Sequence, residues 1–376
     1  MNLSKLEGPP GNEGGKHLRM QLPHGPPVPG SFRARRGPAL RRLSKACLFA
    51  GLLFACGDAA AQATLKGAGS TFAYPVYSKW FGAYQKKDVS VNFEYGYVGS
   101  SEGIKRILER TVDFGASDAV LSDEQIKQAG SDILHIPTFA GAVVITYHLP
   151  GQPVIRLDAG TVADLFLGKI TKWNDERLAK LNPDVSLPDI AITVVHRSDG
   201  SGTTSIFTEY LSKVSTEWKD TVGQGKTVKW PAGRGGKGNK EVAEIVKATP
   251  GAIAYAEHAI VHELGLPDAS LKNRSGQFIS VNIDSIRAAL TTATIPDDLR
   301  FSLTDAPGAD AYPIAGATWL LVYRKGPDLP KNRKMVQFLK WAMTDGDEIV
   351  RDKECAPLPQ ELKKRVLAKL KLIKTP

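Results

Sequence analysis

Three short segments combine glycines with serine or threonine directly before a stretch of helical periodicity. They are 67–72 (Gly-Ala-Gly-Ser-Thr-Phe), 99–103 (Gly-Ser-Ser-Glu-Gly) and 199–204 (Asp-Gly-Ser-Gly-Thr-Thr). A helix N-terminus offers unpaired N–H donors and the positive end of its dipole, and glycine lets a ligand approach the main chain closely. One such start is only an N-cap that stabilises a helix by about 1 kcal/mol. Three of them from distant parts of the chain predict convergence on a single anion.

Two charged features could complete an anion site. Arg197 lies two residues before Asp199, and an arginine fork held by a carboxylate matches a tetrahedral oxyanion. The alternative is a surface ion pair of little energetic value. The segment 113–118 (Asp-Phe-Gly-Ala-Ser-Asp) places an acid among small residues, where it could simply cap the next element.

A carboxylate in that segment would have a more specific use if it faced the anion. It would repel a bound anion unless the anion carried a proton that the carboxylate could accept. Phosphate near neutral pH has that proton and sulfate does not. Sulfate would leave a buried acceptor unpaired beside negative charge, so such a carboxylate would select phosphate.

The segments around these residues alternate between helical and extended patterns. Apolar residues recur every three or four positions from Phe72 to Tyr84, in 101–110 and in 206–214, which predicts amphipathic helices. A basic amphipathic stretch at 361–374 predicts a further helix packed on the body of the protein. Strands are predicted at short apolar runs, namely 89–93, 142–147, 190–195, 252–255 and 319–323. Strands that alternate with helices favour parallel sheets and an α/β fold.

Composition and charge exclude several classes of protein. The chain has 376 residues, of which 42% are hydrophobic and 23% charged, as in a globular protein of two or three domains. Residues 1–63 hold nine of the 49 basic and three of the 39 acidic residues, so the net charge of +10 falls to +4 for 64–376. A net charge this small does not indicate a surface that binds the phosphate backbone of nucleic acid. Three cysteines cannot build a disulfide framework, and no apolar run is long enough for a membrane helix.

The first 63 residues are predicted to precede the folded protein. Residues 1–30 are rich in glycine and proline, which predicts a disordered extension or translation from an upstream start, with Met20 as one alternative. Residues 31–63 combine arginines, an apolar core and a final Ala-Gln-Ala, the pattern of a secretory signal peptide cleaved after Ala63. The alternatives are a lipoprotein anchor at Cys56 and an N-terminal membrane anchor. Cleavage after Ala63 would leave Cys355 as a single thiol.

Longer motifs give the chain a family resemblance. The segments 166–175 (Phe-Leu-Gly-Lys-Ile-Thr-Lys-Trp-Asn-Asp), 228–231 (Val-Lys-Trp-Pro) and 251–255 (Gly-Ala-Ile-Ala-Tyr) occur in order with the three helix starts. Together they resemble the periplasmic phosphate-binding proteins of bacterial Pst-type ABC transporters, over essentially all of 64–376. The resemblance implies a two-lobed α/β solute-binding protein of type II, with a mixed sheet flanked by helices in each lobe. Two crossover hinge strands are expected near 143–147 and 252–255, so lobe 1 is 64–147 plus 253–376 and lobe 2 is 148–252.

The resemblance also implies a role for each residue of a phosphate site. Main-chain N–H groups would come from Thr71 and Phe72, and a hydroxyl and an N–H from Ser100. Asp118 would accept the phosphate proton, and Arg197, braced by Asp199, would supply the positive charge. The second lobe would close the site with Ser201, Gly202 and Thr203.

The same resemblance implies capture without catalysis or a cofactor. The expected partners are inorganic phosphate and the inner-membrane permease and ATPase subunits of a Pst-type transporter, and a monomer is expected. Ala73 and Ala254 depart from the usual pattern, which often has proline and glycine there. Glu102 is a more consequential departure, because a carboxylate in the second helix start could compete for the helix dipole and weaken anion binding.

Other interpretations of the sequence are weaker. The segment 99–103 fits the G-x-S-x-G pattern of a serine hydrolase but comes early in the chain, without a recognisable triad. The segment 223–227 (Gly-Gln-Gly-Lys-Thr) lacks the first glycine of a P-loop, since position 220 is Asp220. His258 and His262 lie four residues apart without an H-E-x-x-H motif. Within the binding class, the alternatives are another protonated tetrahedral oxyanion such as arsenate, or a phosphate sensor without transport.

Overall fold

The structure is a computed structural model that describes residues 62–130 and 132–376. The predictions for residues 1–61, including the lipoprotein anchor at Cys56 and most of the signal peptide, lie outside the described residues. Ala63, the last residue of the predicted signal peptide, is the first residue of a strand. Its N–H donates to the carbonyl of Ser90 at 2.8 Å, and it pairs with Val91. Cleavage after Ala63 remains a prediction, and it would remove one pair from this strand.

Extended segments form one large and one small sheet. The strands are β1 (Ala63–Gly69), β2 (Val91–Gly96), β3 (Phe114–Ser117), β4 (Ile133–Tyr147), β5 (Arg156–Leu157), β6 (Thr193–Arg197), β7 (Arg234–Gly236), β8 (Ala252–Glu257), β9 (Ser270–Lys272), β10 (Phe278–Ile279), β11 (Ala315–Tyr323) and β12 (Ala356–Pro357). The large sheet has the order β2-β1-β3-β11-β4-β8-β6-β7, with β12 also paired to β4, and the small sheet has the order β10-β9-β5.

Helices connect most of these strands. They are α1 (Tyr74–Lys87), α2 (Ser100–Leu108), α3 (Asp123–Gln128), α4 (Ala159–Phe166), α5 (Glu176–Leu181), α6 (Gly202–Val214), α7 (Thr216–Thr221), α8 (Gly238–Ala248), α9 (His258–Glu263), α10 (Ile283–Thr292), α11 (Leu329–Thr344), α12 (Asp347–Asp352) and α13 (Gln360–Leu370). The four predicted helices are confirmed as α1, α2, α6 and α13, with ends shifted by a few residues. None of the described helices combines the length and apolar character needed to cross a bilayer.

Strand β4 joins two halves of the large sheet. Nine of its first ten residues pair with β11, with Thr138 unpaired at a bulge. Its last five residues pair antiparallel with β8, from Val143 opposite Glu257 to Tyr147 opposite Ile253. We call β2, β1, β3, β11 and the first part of β4 the first half-sheet. The last part of β4 with β8, β6 and β7 is the second half-sheet. The predicted hinge segments thus lie side by side where the two half-sheets meet.

The centre of the molecule departs from the parallel sheets that helix–strand alternation favours, and it agrees with the mixed sheets that the family resemblance implies. The pairs β1–β2, β1–β3, β6–β7 and β6–β8 are parallel, but β11 runs antiparallel to both β3 and β4. Helix–strand alternation along the chain cannot reveal this, because β11 inserts between strands that precede it by some 170 residues or more. Every residue of β4 and β11 is buried, so these two strands lie in the core of the first half-sheet, and β4 continues into the second.

Candidate functional site

All three predicted helix starts are present and lie in one hydrogen-bonded group. The first is the turn before α1, where Ser70 Oγ accepts from the N–H of Ala73 at 2.9 Å. The second is α2, whose N-cap Gly99 has a φ of 94°, a left-handed conformation that favours glycine. The third is α6, where the Ser201 side chain accepts from the N–H of Thr204 at 3.1 Å. Two of the three starts are thus capped by a serine, the start of α2 has no side-chain cap, and all three present main-chain donors to the space between them.

The main-chain donors at these starts are the basis of an anion site. Within the described residues, no hydrogen bond uses the N–H groups of Thr71, Phe72, Ser100, Gly202 or Thr203. The N–H of Ser201 is different, because it donates to the carbonyl of Lys226 at 2.9 Å. Since buried N–H groups are nearly always paired, five unpaired donors at three helix starts indicate a place for a ligand rich in acceptor oxygens.

Asp118 lies at the end of β3 and faces these donors. Its Oδ1 accepts from Ser70 Oγ at 2.6 Å and from Thr318 Oγ1 at 2.7 Å. Among the described residues, its Oδ2 accepts only from Ser100 Oγ at 3.2 Å. Burial raises the pKa of Asp118, against the opposing effects of these three hydroxyls and of Arg197. Oδ1 is fully engaged, but Oδ2 can accept another hydrogen bond. The carboxylate therefore presents one acceptor among many donors.

Arg197 supplies the positive charge from the end of β6. It is 3% exposed, and its guanidinium donates to both oxygens of Asp199, from Nε at 2.7 Å and from Nη2 at 2.6 Å. A further bond from Nη1 reaches Thr203 Oγ1 at 3.3 Å. Burial would raise the pKa of Asp199, but the hydrogen bonds and charge of Arg197 outweigh it and lower the pKa. Two of the five guanidinium N–H groups remain for an oxyanion.

Glycine at position 202 is required by the close approach of α6 to Asp118. A Cβ at Gly202 would lie 2.5 Å from Asp118 Oδ2 and 2.4 Å from Ser100 Oγ. Contacts shorter than 3 Å are not tolerated by carbon atoms, so any side chain here would displace the groups that form the site. This proximity also shows that segments from both half-sheets meet at the site.

Several contributing residues are not among the sequence-predicted site residues. Ser70 was inside a motif already identified, but its hydroxyl serves Asp118 and α1 and is not a free donor. Thr318 lies within β11 and Asn239 at the start of α8, and neither carries a local motif. Asn239 Nδ2 donates to Thr71 Oγ1 and to Thr203 Oγ1, both at 3.1 Å. Only the tertiary fold brings these two residues to the site.

Glu102, the departure in the second helix start, is paired within its own helix. Its Oε1 accepts from Arg106 Nε at 2.8 Å, one turn along α2. The hydrogen bond from Arg106 is the main reason that the pKa of Glu102 is lowered. The carboxylate is therefore paired with a cation on the helix surface, which offsets its effect on the helix dipole.

The weaker interpretations gain no support from the contacts. In the described part of the chain, no histidine is a hydrogen-bond partner of Ser101, whose N–H donates to the Gly200 carbonyl at 3.0 Å. Residues 223–227 form an irregular, bent segment with no helix directly after it. His258 Nε2 and His262 Nδ1 both face Glu354 Oε2, at 3.1 and 3.0 Å. No group of side chains suited to hold a metal ion occurs among the described residues.

Comparisons with known proteins give the same fold and a shared family. The model of the PBP superfamily domain matches residues 55–346. Phosphate-binding protein PstS of Pasteurella multocida is 40% identical over 88% of this chain and 96% of its own length. Phosphate-binding protein PstS of Haemophilus influenzae is 38% identical over 80% of this chain and 90% of its own length.

Solved structures agree at the level of the fold. A high affinity periplasmic phosphate-binding protein (PfluDING), bound with phosphate, has a TM-score of 0.65 at 20% identity, covering 81% of this chain and 93% of its own. A phosphate-binding protein from Stenotrophomonas maltophilia has a TM-score of 0.64 at the same identity and coverage. The predicted two-lobed fold of a type II solute-binding protein, with mixed sheets flanked by helices, is thereby confirmed. The residue bounds of the lobes remain a prediction.

Proposed function

The chain belongs to the PstS family of phosphate-binding proteins within the PBP superfamily, and on this premise we propose that it captures inorganic phosphate outside the cytoplasmic membrane for an ABC-type import permease. The observation that carries the proposal is the meeting of three helix starts around one arginine and one carboxylate. Helix N-termini and a buried arginine suit an oxyanion. The carboxylate suits an oxyanion that still carries a proton.

In this proposal each group has one task. The N–H groups of Thr71, Phe72 and Ser100 from one side, and of Gly202 and Thr203 from the other, donate to phosphate oxygens. Their number fits a ligand with four oxygens and many lone pairs. Within each lobe these donors are fixed by the fold before the ligand arrives, so binding requires closure of the lobes but little ordering of side chains.

Charge decides which anion is accepted. Arg197 offers its two remaining N–H groups to the oxyanion, and Asp199 holds the guanidinium in place. Asp118 Oδ2 accepts the P–OH proton. Sulfate has no such proton, so its oxygen would face the carboxylate oxygen with no hydrogen between them. Arsenate carries the same proton and is the remaining competitor.

Closure of the two lobes is proposed to bury the ligand. Asn239 connects the turn before α1 with the start of α6 through its two bonds to Thr71 and Thr203. Its Oδ1 accepts from the N–H of Glu257 in β8 at 3.3 Å. Because Thr71 belongs to predicted lobe 1 and Thr203 to predicted lobe 2, Asn239 would stabilise the closed form. Motion of the lobes would then occur about the adjacent hinge strands.

The Asn239→Ala variant is expected to bind phosphate more weakly by about 1–3 kcal/mol, which is roughly 5- to 150-fold in Kd. The substitution leaves two hydroxyls and one main-chain N–H without their partner. Asn174→Ala, at an exposed position in a loop, is the matched control and should bind like the parent. Equal affinities for the two variants, with equal Tm, would contradict a closing role for Asn239.

The proposed function is tested by calorimetric titration of the purified, ligand-free protein near pH 7 with phosphate and separately with sulfate. Tight one-to-one binding of phosphate without heat from sulfate is the expected result. Binding of both anions would mean that Asp118 does not face the ligand. No heat from either would overturn the proposal.

The remaining parts of the proposal concern partners and location. We expect the closed, phosphate-loaded protein to dock as a monomer on the permease and ATPase subunits of a Pst-type transporter, without catalysing a reaction. Export through the signal peptide of residues 31–63 would place it in the periplasm, and lipidation at Cys56 would instead hold it at a membrane surface. Capture without docking would make it a phosphate sensor.

A further inference from the structure

A cleft of about 580 Å³ lies at the end of the first half-sheet that is remote from Asp118. Its walls include Leu134 at the start of β4 and Arg324 just after β11. Thr318, which contacts Asp118, lies six residues before Arg324 along β11. At about 3.3 Å per residue, the Arg324 end of the cleft is therefore roughly 20 Å from Asp118, whereas its wall at His135, which pairs with Leu321, lies nearer. It is separate from the proposed phosphate site.

Four cationic side chains line this cleft, and their carboxylate partners satisfy only two of them. Arg300 pairs with Asp298 and with Asp123, both at 2.8 Å. Arg365 reaches Asp297 at 3.3 Å and donates to two main-chain carbonyls.

Lys369 and Arg324 differ from these two. Lys369 donates to the main-chain carbonyl of Asp298. Within the described residues, neither Lys369 nor the side chain of Arg324 forms an ion pair with a carboxylate. The four cations are thus matched by three carboxylates, Asp123, Asp297 and Asp298, and the two cations without a paired carboxylate are Lys369 and Arg324.

The pKa shifts of Lys369 and His135 reflect burial and the neighbouring cations. Burial lowers the pKa of Lys369, and the neighbouring charges of Arg300, Arg365 and Arg324 lower it further, against the effect of Asp298. Burial also lowers the pKa of His135, which lines the cleft, to about 3. His135 Nε2 accepts from the N–H of Leu121 at 3.0 Å, so the neutral ring carries its proton on Nδ1. A bound anion stabilises cations that have no paired carboxylate.

The rest of the cleft wall is apolar and suits an apolar part of a ligand. Leu134 and Leu299 are buried, and Leu372 is 50% exposed; all three line the cleft. The volume is in the range of pockets that hold small organic molecules. We propose that this cleft is a second binding site for a small organic dianion, whose charged group lies between Lys369 and Arg324 and whose apolar body lies against the leucines. Carboxylate and phosphoryl compounds share this chemistry.

The test is calorimetric titration of the purified protein, with a small excess of inorganic phosphate present, using phenyl phosphate and phthalate as probes. Saturable binding of one or both probes is expected. Binding of both would assign recognition to the two charges, and binding of phenyl phosphate alone would assign it to the phosphoryl group. If neither probe binds, the proposal is overturned.

Matched variants locate the probe. Lys369→Ala is compared with Lys371→Ala, and Arg324→Ala with Lys325→Ala, since Lys371 and Lys325 are exposed neighbours that do not line the cleft. Lys369→Ala and Arg324→Ala should each weaken probe binding about tenfold or more, whereas the two controls should not. If a cleft variant and its control changed probe affinity equally, the probe would bind elsewhere and the proposal would be overturned. Thermal unfolding of each ligand-free variant verifies that it folds. Probe binding is measured separately from phosphate binding at the helix starts, so the two proposals can fail independently.

Discussion

Replacement of Arg197 by alanine is expected to weaken phosphate binding by about 2–5 kcal/mol, the range for removing one partner of a buried charged contact. This corresponds to an increase in Kd between roughly 30-fold and several thousandfold. Two causes add together. The ligand loses two charge-assisted hydrogen bonds, and Asp199 loses the cation that holds its carboxylate. An unpaired carboxylate then repels the incoming anion.

Two further variants separate these causes. Arg197→Ala combined with Asp199→Asn removes the repulsion, so it should recover part of the loss. Arg197→Lys keeps a charge but lacks the planar fork, so it should bind with intermediate affinity. Arg287→Ala, which removes an exposed arginine of α10, is the control and should leave Kd unchanged. If calorimetry finds the same Kd for Arg197→Ala and the parent protein, Arg197 does not contact phosphate.

Replacement of Asp118 by asparagine is expected to reduce the preference for phosphate over sulfate by about 100-fold or more. A site built to hydrogen-bond one group of a ligand strongly rejects an analogue that lacks this group. The amide carries no charge to repel sulfate, and its N–H₂ group can donate to a sulfate oxygen. Sulfate affinity should therefore rise while phosphate affinity falls. Competition titrations with both anions near pH 7 measure the ratio.

The stability of the ligand-free protein provides an independent check on Asp118. Burial raises the pKa of this carboxyl, so the folded state binds a proton more tightly than the unfolded state. Its contribution to stability is present at low pH and is lost as pH rises through the folded-state pKa. Asp118→Asn should therefore raise Tm near pH 7 while it damages selectivity. Asp220→Asn, at an exposed position, should change neither, and an unaltered anion preference in Asp118→Asn would remove the proton-accepting role.

The parts of the site that local sequence predicts are those with local causes. A helix start needs its glycine and hydroxyl residues within a few positions of one another, so 99–103 and 199–204 could be recognised from spacing alone. The pairing of Arg197 with Asp199 is likewise a contact between near neighbours. The family resemblance then predicts that these separate segments form one site. The contacts among Ser100, Asp118 and Gly202 agree with that assembly.

The parts that local sequence does not predict depend on tertiary pairing. Thr318 contacts Asp118 because β11 pairs with β3, a relation between strands about 200 residues apart. Asn239 contacts Thr71 across 168 residues. The antiparallel course of β11 is not predicted from local sequence either, because it depends on pairing with strands far away in the chain. Periodicity reports which face of a strand is buried, but it does not report which strand lies beside it.

The central position of β11 also has a consequence for how the chain is made. Until residues 315–323 are synthesised, β3 and β4 lack the strand that lies between them in the finished sheet. Unpaired edges of apolar strands are sites of aggregation, and most of the polypeptide exists before this gap can be filled. A nascent or truncated chain that ends before β11 therefore carries two exposed edges and lacks Thr318.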